Sequence, residues 1–251
     1  MRIDAHQSFT SQYTPEQLWP ILERNRFDGS VLIQTKESDI ETDRALSLAT
    51  EHHFIKAVVV WVDLSSPNLG NRLDRLQTDS KCKGVYHRLT TEPDAAAGLI
   101  EMARRGLTLD LELHPQQLTL ITALMETSPE LKLIVNHLGS PSITGGDFER
   151  WALQMEQVSK IANVAVKISG LVTLNRTHAW NAMDLSPFVQ HAIRCFGPER
   201  LMFGSDWPTC LAAGTWKESL AAFTQSIGPH SIAFREQLLG GTANRLYKVL
   251  T

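Results

Sequence analysis

The chain contains few of the residues that disulfide-stabilised, zinc-thiolate or membrane proteins need. Its 251 residues include three cysteines, Cys82, Cys195 and Cys210. They are too widely spaced for a disulfide framework or a CxxC metal-binding pair. No apolar run reaches the length of a membrane span, and the first residues lack the apolar region of a signal peptide. We therefore expect a protein of the reducing cytoplasm.

An excess of charge of one sign is also missing. The 24 Lys and Arg residues nearly balance the 27 Asp and Glu residues, for a net charge of -3. This composition provides neither the basic surface of a nucleic-acid-binding protein nor an acidic tail. The double glycine at 145 and 146 is not followed by the Lys and Ser or Thr of a P-loop. The remaining partner that we expect is a small-molecule substrate.

Short β-rich runs bounded by turn residues recur along the whole chain, with helix-like stretches between most of them. Eight units of roughly 31 residues fill residues 1–251 and match the size of a (β/α)8 TIM barrel of the α/β class. No stretch has the composition of a linker, so we predict a single domain. A doubly wound open sheet is the alternative, although no GxGxxG turn follows the first strand. The predicted strands are Arg2 to His6, Ser30 to Thr35, Lys56 to Val62, Lys83 to His87, Thr108 to His114, Lys132 to His137, Val164 to Gly170 and Leu201 to Asp206.

Alternation along the strands predicts which side chains face the barrel interior. In barrel strands, successive residues point alternately inward and toward the helices. If the leucines of Leu109 to Leu113 cover the helix side, their polar neighbours point inward. Because buried charges need partners, we also predict that Asp4 and Lys167 pair in the interior. The residues predicted to face inward are Asp4, His6, Ser8, Asp110, Glu112, His114, Val135, His137, Lys167, Ser169, Gly204 and Asp206.

Three imidazoles and a carboxylate stand at predicted strand tips: His6, His114, His137 and Asp206. The carboxyl ends of barrel strands are where barrel enzymes place their chemistry. Histidine and carboxylate ligands could hold a divalent metal that carries a water molecule. Alternatively, Asp206 could act as general base on water while the imidazoles stabilise an oxyanion. The residues alone leave both chemistries open.

Five segments resemble the signatures of the amidohydrolase superfamily. The similarity is to its amidohydrolase-2 type group, which contains sugar-acid lactonases and 2-pyrone-4,6-dicarboxylate lactonase. It runs in order along essentially the whole chain, and the last segment is the most specific. The resemblance implies that His6, His137 and Asp206 are catalytic and that Asp206 activates the attacking water. The segments are Ile3-Asp4-Ala5-His6-Gln7, Lys83-Gly84-Val85 with His87, Asn136-His137-Leu138-Gly139-Ser140-Pro141, Val166-Lys167-Ile168-Ser169-Gly170-Leu171 and Phe203-Gly204-Ser205-Asp206-Trp207-Pro208.

The chain departs from this pattern at Ser8, Tyr86 and Asn136. The family has His where Ser8 stands, and a hydroxyl is a poor zinc ligand beside imidazole. We therefore predict no cofactor. The alternatives are a weakly bound Zn or Mn ion at the three catalytic positions, or a metal site restored by Glu112. The family often has Arg where Tyr86 stands, and its loss removes a bidentate grip on a substrate carboxylate.

Together these features predict a lactonase, a hydrolase of ester bonds in carbohydrate metabolism that opens a neutral sugar lactone. One alternative is a metal-dependent amidohydrolase or decarboxylase of a small carboxylated compound. Another is a barrel that has lost catalysis and binds a ligand, which the three departures favour. The residues predicted to line the substrate pocket are Ser8, Tyr86, His87, Glu112, His114 and Trp207.

Overall fold

Eight parallel strands form one sheet in sequence order. The computed structural model describes residues 1–89, 96–174 and 180–249. The (β/α)8 barrel is confirmed, and each strand begins and ends within two residues of its predicted bounds. The strands are β1 Ile3–Gln7, β2 Gly29–Ile33, β3 Ile55–Trp61, β4 Cys82–Arg88, β5 Thr108–Glu112, β6 Lys132–Val135, β7 Val164–Ser169 and β8 Leu201–Gly204.

Helices alternate with the strands and cover the outside of the sheet. Short 3-10 turns follow several strands, at Pro115–Gln117, Asn136–Gly139 and Thr209–Ala212. A further 3-10 turn spans Pro198–Arg200, and a π-helical turn spans Gln237–Gly241. The α-helices are α1 Pro15–Arg24, α2 Asp39–Glu51, α3 Leu69–Gln77, α4 Ala96–Arg105, α5 Leu120–Thr127, α6 Phe148–Ser159, α7 Leu171–Leu174, α8 Ala182–Phe196, α9 Trp216–Ile227, α10 Ile232–Glu236 and α11 Thr242–Leu246.

The carboxyl end of β1 and the residue after it meet the residues just beyond the carboxyl end of β8. Gln7 and Trp207 form a parallel bridge. The Asp206 N–H donates to the His6 carbonyl at 2.9 Å, and the Ser8 N–H donates to the Trp207 carbonyl at 2.8 Å. This seam holds the backbones of two predicted catalytic residues, His6 and Asp206, against each other.

The buried apolar residues form two layers. The larger layer lies between the strands and the helices and contains Val135, Val166 and Phe203. The smaller layer fills the barrel, and residues of the chain's C-terminal segment pack against it. Its members are Ile3, Ala5, Val31, Ile33, Ala57, Val59, Tyr86, Ile134, Ala165, Met202, Ala243 and Tyr247. The prediction that Val135 faces inward is therefore wrong, because Ile134 occupies the inward position of β6.

A bulge in β1 overturns the predicted placement of Asp4. Asp4 pairs with Ser30, whereas Gln7 pairs with Leu32, so β1 has one more residue than β2 over this interval. Such a bulge breaks the alternation of side chains. His6 therefore reaches the barrel interior, while the Asp4 carboxylate accepts hydrogen bonds from the Ser205 N–H at 2.8 Å and the Trp216 indole N–H at 2.7 Å.

The predicted ion pair between Asp4 and Lys167 is consequently wrong. The Lys167 ammonium instead lies 2.5 Å from the Asp110 carboxylate, and both side chains are fully buried. Asp110 and Lys167 do face inward, as the strand alternation predicts.

Cys82, Cys195 and Cys210 are free thiols. Within the described residues, no helix combines the length and the apolar character that crossing a bilayer requires. The cytoplasmic setting stays a prediction.

The carboxylate of Asp4 joins β1, β8 and α9, so its loss is expected to destabilise the barrel. Asp4→Ala removes the acceptor of three buried N–H donors, those of His6, Ser205 and Trp216, and we expect the free energy of unfolding to fall by about 3 kcal/mol. Asp63 is the control, because this exposed carboxylate accepts hydrogen bonds from Ser65 that water can replace. Urea denaturation should show a change below about 1 kcal/mol for Asp63→Ala. Equal losses in the two variants would contradict the structural role of Asp4.

Candidate active site

His6, His137 and Asp206 meet at the carboxyl end of the barrel. One potential ligand atom from each of the three lies within 4.8 Å of the others. His6 belongs to β1, whereas the other two lie just beyond the ends of β6 and β8. The predicted sixth and eighth strands therefore extend too far, because His137 and Asp206 already lie in the turns that follow the strands.

Both turns place non-glycine residues in the left-handed region of backbone conformation. The φ angles are 53° at His137, 56° at Leu138 and 60° at Asp206. Such conformations cost on the order of 1–3 kcal/mol each and cluster at functional sites. Local hydrogen bonds hold the turns: the His137 N–H donates to the Ser169 hydroxyl at 3.2 Å, and the Cys210 N–H donates to the Asp206 carbonyl at 2.9 Å.

The His6 ring lies deep in the site, with only 3% of its side chain exposed. Its Nε2 atom is 3.7 Å from Asp206 Oδ1. Its ring meets the ring of His137 edge to face, with centroids 4.5 Å apart. Gly204 makes room for this arrangement, since a Cβ at that position would lie 2.6 Å from the Cβ of His6.

Burial lowers the pKa of His6 well below its usual value, and the charges of Lys167 and His137 lower it further. The imidazole of His6 is therefore neutral near pH 7. A neutral imidazole carries one N–H donor and one acceptor nitrogen. Neutral His6 can therefore donate a hydrogen bond to a developing negative charge. It is not already engaged in an ion pair, as a charged imidazole would be.

Burial raises the pKa of the Asp206 carboxyl, and the neighbouring charge of Glu112 adds to this shift. His137 and a hydrogen bond from Thr209 act in the opposite direction. The Asp206 side chain is 13% exposed, so water can reach it. A reachable carboxylate with a raised pKa has the properties of a general base.

A cavity of about 770 Å³ opens above these three residues. Its volume lies within the range of small-molecule sites, roughly 300–1,000 Å³. Hydroxyl, amide and charged side chains supply most of its lining, so it offers many hydrogen-bonding groups. The lining residues are His6, Ser8, Thr35, Arg88, Glu112, His114, Pro115, Gln116, His137, Ser140, Pro141, Ser142, Thr144, Gly170, Thr173, Leu174, Asp206 and Thr209.

The structure divides the residues predicted to line the pocket into two groups. Ser8, Glu112 and His114 line the cavity, whereas Tyr86, His87 and Trp207 do not. Tyr86 is buried beneath the cavity and donates its hydroxyl hydrogen bond to Glu112. Trp207 is buried and packs edge to face against Phe9 and Tyr13. His87 is half-buried and follows Tyr86 on β4, so it points to the other side of the strand.

Arg88 is a cavity residue that the sequence analysis missed. Its side chain is 58% exposed and lies 3.4 Å from the Glu112 carboxylate. Strand alternation could have predicted its position, because Arg88 follows Tyr86 by two residues and shares its face of β4. The hydroxyl groups of Thr173 and Thr209 were also missed. They come from turns and helices, for which the sequence provides no comparable rule.

The three central residues have the ligand types of a divalent metal site. Two imidazoles and one carboxylate suit zinc, and three protein ligands leave a position for water. Among the described residues, this is the group whose ligand atoms converge, and Glu112 is not part of it. Glu112 is instead engaged by Tyr86 and Arg88. The structure thus gives no support to Glu112 as a substitute ligand.

Comparison with known proteins shows similarity along essentially the whole chain. A family model described as amidohydrolase matches residues 12–249. The L-fucono-1,5-lactonase of Burkholderia multivorans is 30% identical over 98% of this chain and 96% of its own length. The L-fucono-1,5-lactonase of Burkholderia ambifaria is 27% identical over 99% and 96%. A crystal structure of an amidohydrolase from Burkholderia multivorans with bound zinc is 30% identical, covers 99% of both chains and superposes with a TM-score of 0.90.

Gly170 allows two of the central side chains to approach the backbone. Its φ is 66°, and an added Cβ would lie 2.9 Å from His137 Nδ1 and 3.4 Å from Asp206 Oδ2. Gly106 is a matched control, because its φ is 65° and a Cβ there would meet nothing within 4 Å. We expect both alanine variants to lose about 1 kcal/mol of stability from backbone strain.

We expect only Gly170→Ala to displace the His137 ring. Histidine ring signals in NMR spectra of the selectively labelled protein provide the measurement. The His137 signals should move in Gly170→Ala and stay in place in Gly106→Ala. Unchanged His137 signals in a folded Gly170→Ala protein would contradict the described packing.

Proposed function

This chain belongs to the amidohydrolase family, and we propose that it opens a sugar lactone by attack of an Asp206-activated water on the carbonyl carbon. The observation that carries this proposal is the convergence of His6, His137 and Asp206 beneath a polar cavity. The whole-length similarity to two proteins named L-fucono-1,5-lactonase supports the choice of a lactone over other esters and amides.

Asp206 accepts a proton and later donates it in this reaction. Its carboxylate removes a proton from water as the water oxygen bonds to the lactone carbonyl carbon, and the carbonyl oxygen becomes an oxyanion. The tetrahedral intermediate then collapses, which breaks the bond between the carbonyl carbon and the ring oxygen. Asp206 returns its proton to the departing ring oxygen, and the product is a hydroxy acid. One residue thus serves as base and then as acid.

His6 and His137 stabilise the oxyanion in this mechanism. Their rings lie edge to face on one side of the site, and His6 Nε2 faces the Asp206 carboxylate across 3.7 Å. N–H groups fixed in advance at a water-poor site are effective because they need little reorganisation when charge develops. Removing one such donor typically lowers kcat by roughly 10²–10³.

The cavity chemistry favours a neutral, hydroxyl-rich substrate. Arg88 contributes a partly exposed cationic side chain to the cavity lining, and Glu112 lies 3.4 Å from it. Because Glu112 compensates its charge, Arg88 is a weak anchor for a substrate carboxylate. The surrounding hydroxyl and amide groups are suited to the hydroxyl groups of a sugar. This supports a sugar lactone over a dicarboxylated one.

A divalent metal is implied by the family and by the zinc-bound relative, and His6, His137 and Asp206 would be its ligands. The side chain next to the second ring nitrogen of His6 does not suit a metal-binding histidine. A metal-bound imidazole normally donates its second N–H to a carboxylate or carbonyl. Here the second nitrogen of His6 faces the Nζ of Lys167 at 3.4 Å. Ser8, which stands where the family has a ligand, is also a poor match. We therefore propose catalysis by side chains without a resident metal.

Hydrolysis of a panel of sugar γ- and δ-lactones, measured as acid release, tests this proposal. Chelator-treated protein should remain active, and Asp206→Asn should lower kcat by at least about 10²-fold, because the base that accepts the proton is gone. A dicarboxylated lactone in the panel should be a poorer substrate than the neutral sugar lactones.

The other outcomes identify the alternatives. Activity that disappears on chelation and returns with Zn²⁺ or Mn²⁺ would contradict the metal-free mechanism and favour a metal-dependent hydrolase or decarboxylase. Absence of turnover for every lactone would contradict the proposed function and favour a barrel that binds a ligand without catalysis.

The pH dependence of kcat provides a second test. The carboxylate form of Asp206 is the active form, so the rate falls as the pH drops through its pKa. Since that pKa is raised, the acid limb should lie above the range of an ordinary Asp. Thr209→Val removes a hydrogen bond that lowers the pKa of Asp206, so the limb should move to higher pH. Glu112→Gln removes a charge that raises this pKa, so the limb should move to lower pH. Shifts in the same direction for both variants would contradict Asp206 as the titrating base.

A further inference from the structure

Lys167 lies in the barrel interior, directly beneath His6, and its side chain is fully buried. Its Nζ atom is 2.5 Å from Asp110 Oδ2 and 3.4 Å from His6 Nδ1. The Tyr247 hydroxyl donates to the same Asp110 oxygen at 2.6 Å. Lys167 thus stands between a carboxylate, which favours its charged form, and one nitrogen of a predicted catalytic imidazole.

The direction of the contact between Lys167 and His6 follows from the groups involved. An ammonium group has three N–H donors and no acceptor. A neutral imidazole has one donor and one acceptor nitrogen. The nitrogen of His6 that faces Lys167 must therefore be the acceptor, and the ring proton must be on Nε2.

We propose that Lys167 is a positioning residue that holds His6 in the tautomer with an unprotonated Nδ1 and a protonated Nε2. The inference deepens the proposed function, on which it rests for the catalytic role of His6. In this tautomer His6 directs its N–H toward the side of the ring where Asp206 lies, at 3.7 Å. This is the side on which the lactone oxyanion forms in the proposed mechanism.

Ser169 contacts the Nδ1 atom of His137, as Lys167 contacts that of His6. It lies two residues after Lys167 on the same face of β7, and its hydroxyl oxygen is 2.9 Å from His137 Nδ1. That oxygen already accepts a hydrogen bond from the backbone N–H of His137 at 3.2 Å. The hydroxyl can also donate its own hydrogen to an unprotonated Nδ1. One face of β7 thus places a side chain with polar hydrogens next to the Nδ1 atom of each central imidazole.

This tautomer makes His6 a poor metal ligand. Coordination through Nε2 would require that nitrogen to lose its proton and Nδ1 to carry one instead. The Nδ1–H would then point at the Lys167 ammonium, so two donors would face each other. Metal sites normally place an acceptor at this position, and its loss typically weakens metal affinity by about 10–100-fold. Removal of the ammonium should therefore strengthen metal binding.

The tautomer can be measured directly in the wild-type protein. Multiple-bond proton–nitrogen NMR correlations of ¹⁵N-histidine-labelled protein distinguish a protonated Nε2 from a protonated Nδ1, and a His6→Gln sample assigns the signals. We expect His6 to show a protonated Nε2 at neutral pH. A protonated Nδ1 would overturn the proposal. The spectrum contains no substrate, so the result is independent of whether the protein hydrolyses lactones.

Metal affinity provides the second arm of the experiment. The variant Asp110→Asn/Lys167→Met removes the ammonium together with its counterion, and the wild-type protein, which has the same net charge and retains the ion pair, is the control. Calorimetric titration with Zn²⁺ should show affinity at least about 10-fold higher for the double variant than for the control. Adding His6→Gln should remove the gain. Equal Zn²⁺ affinity in the folded double variant and its control would overturn the proposal.

Discussion

The buried ammonium of Lys167 is the constraint on which much of this structure depends. A charge removed from water costs several kcal/mol unless close partners compensate it. Its partners come from distant parts of the chain: Asp110 on β5, His6 on β1 and, through Asp110, Tyr247 in the C-terminal segment. Because this one charge needs partners, the strands of the barrel are connected to the apolar layer inside it. It also places a polar group directly beneath the site.

The site is built where strands give way to turns. The strands provide a rigid frame, and the residues just beyond β6 and β8 adopt left-handed backbone conformations that strands do not contain. The seam between β1 and β8 then fixes the backbone of Asp206 to that of His6. Gly170 and Gly204 leave space in which a larger residue would meet the imidazoles. Three side chains from separate parts of the barrel thereby converge beneath one cavity, which is the arrangement that the proposed hydrolysis requires.

Sequence patterns predict the strands and the polar residues at their ends because both follow from a simple alternation of buried and polar positions. They fail at Asp4, because a single extra residue in β1 reverses the alternation. No residue type in this part of the sequence indicates the bulge. They also fail to pair Lys167 with Asp110, because β5 and β7 are not neighbours and their approach depends on how the whole barrel closes. Arg88 was within reach of the alternation rule. Thr173 and Thr209 were not, because the short helix and the turn that carry them follow no such rule.

The central claim is that Asp206 activates water and does not itself attack the lactone. A single turnover in H₂¹⁸O, with chelator-treated enzyme in excess over a sugar lactone, tests this claim most directly when product and enzyme are both analysed by mass spectrometry. Direct attack of water predicts one ¹⁸O atom in the carboxylate of the first-turnover product and none in the protein. A first-turnover product without ¹⁸O, together with the label in the peptide that contains Asp206, would show a covalent intermediate and contradict the account.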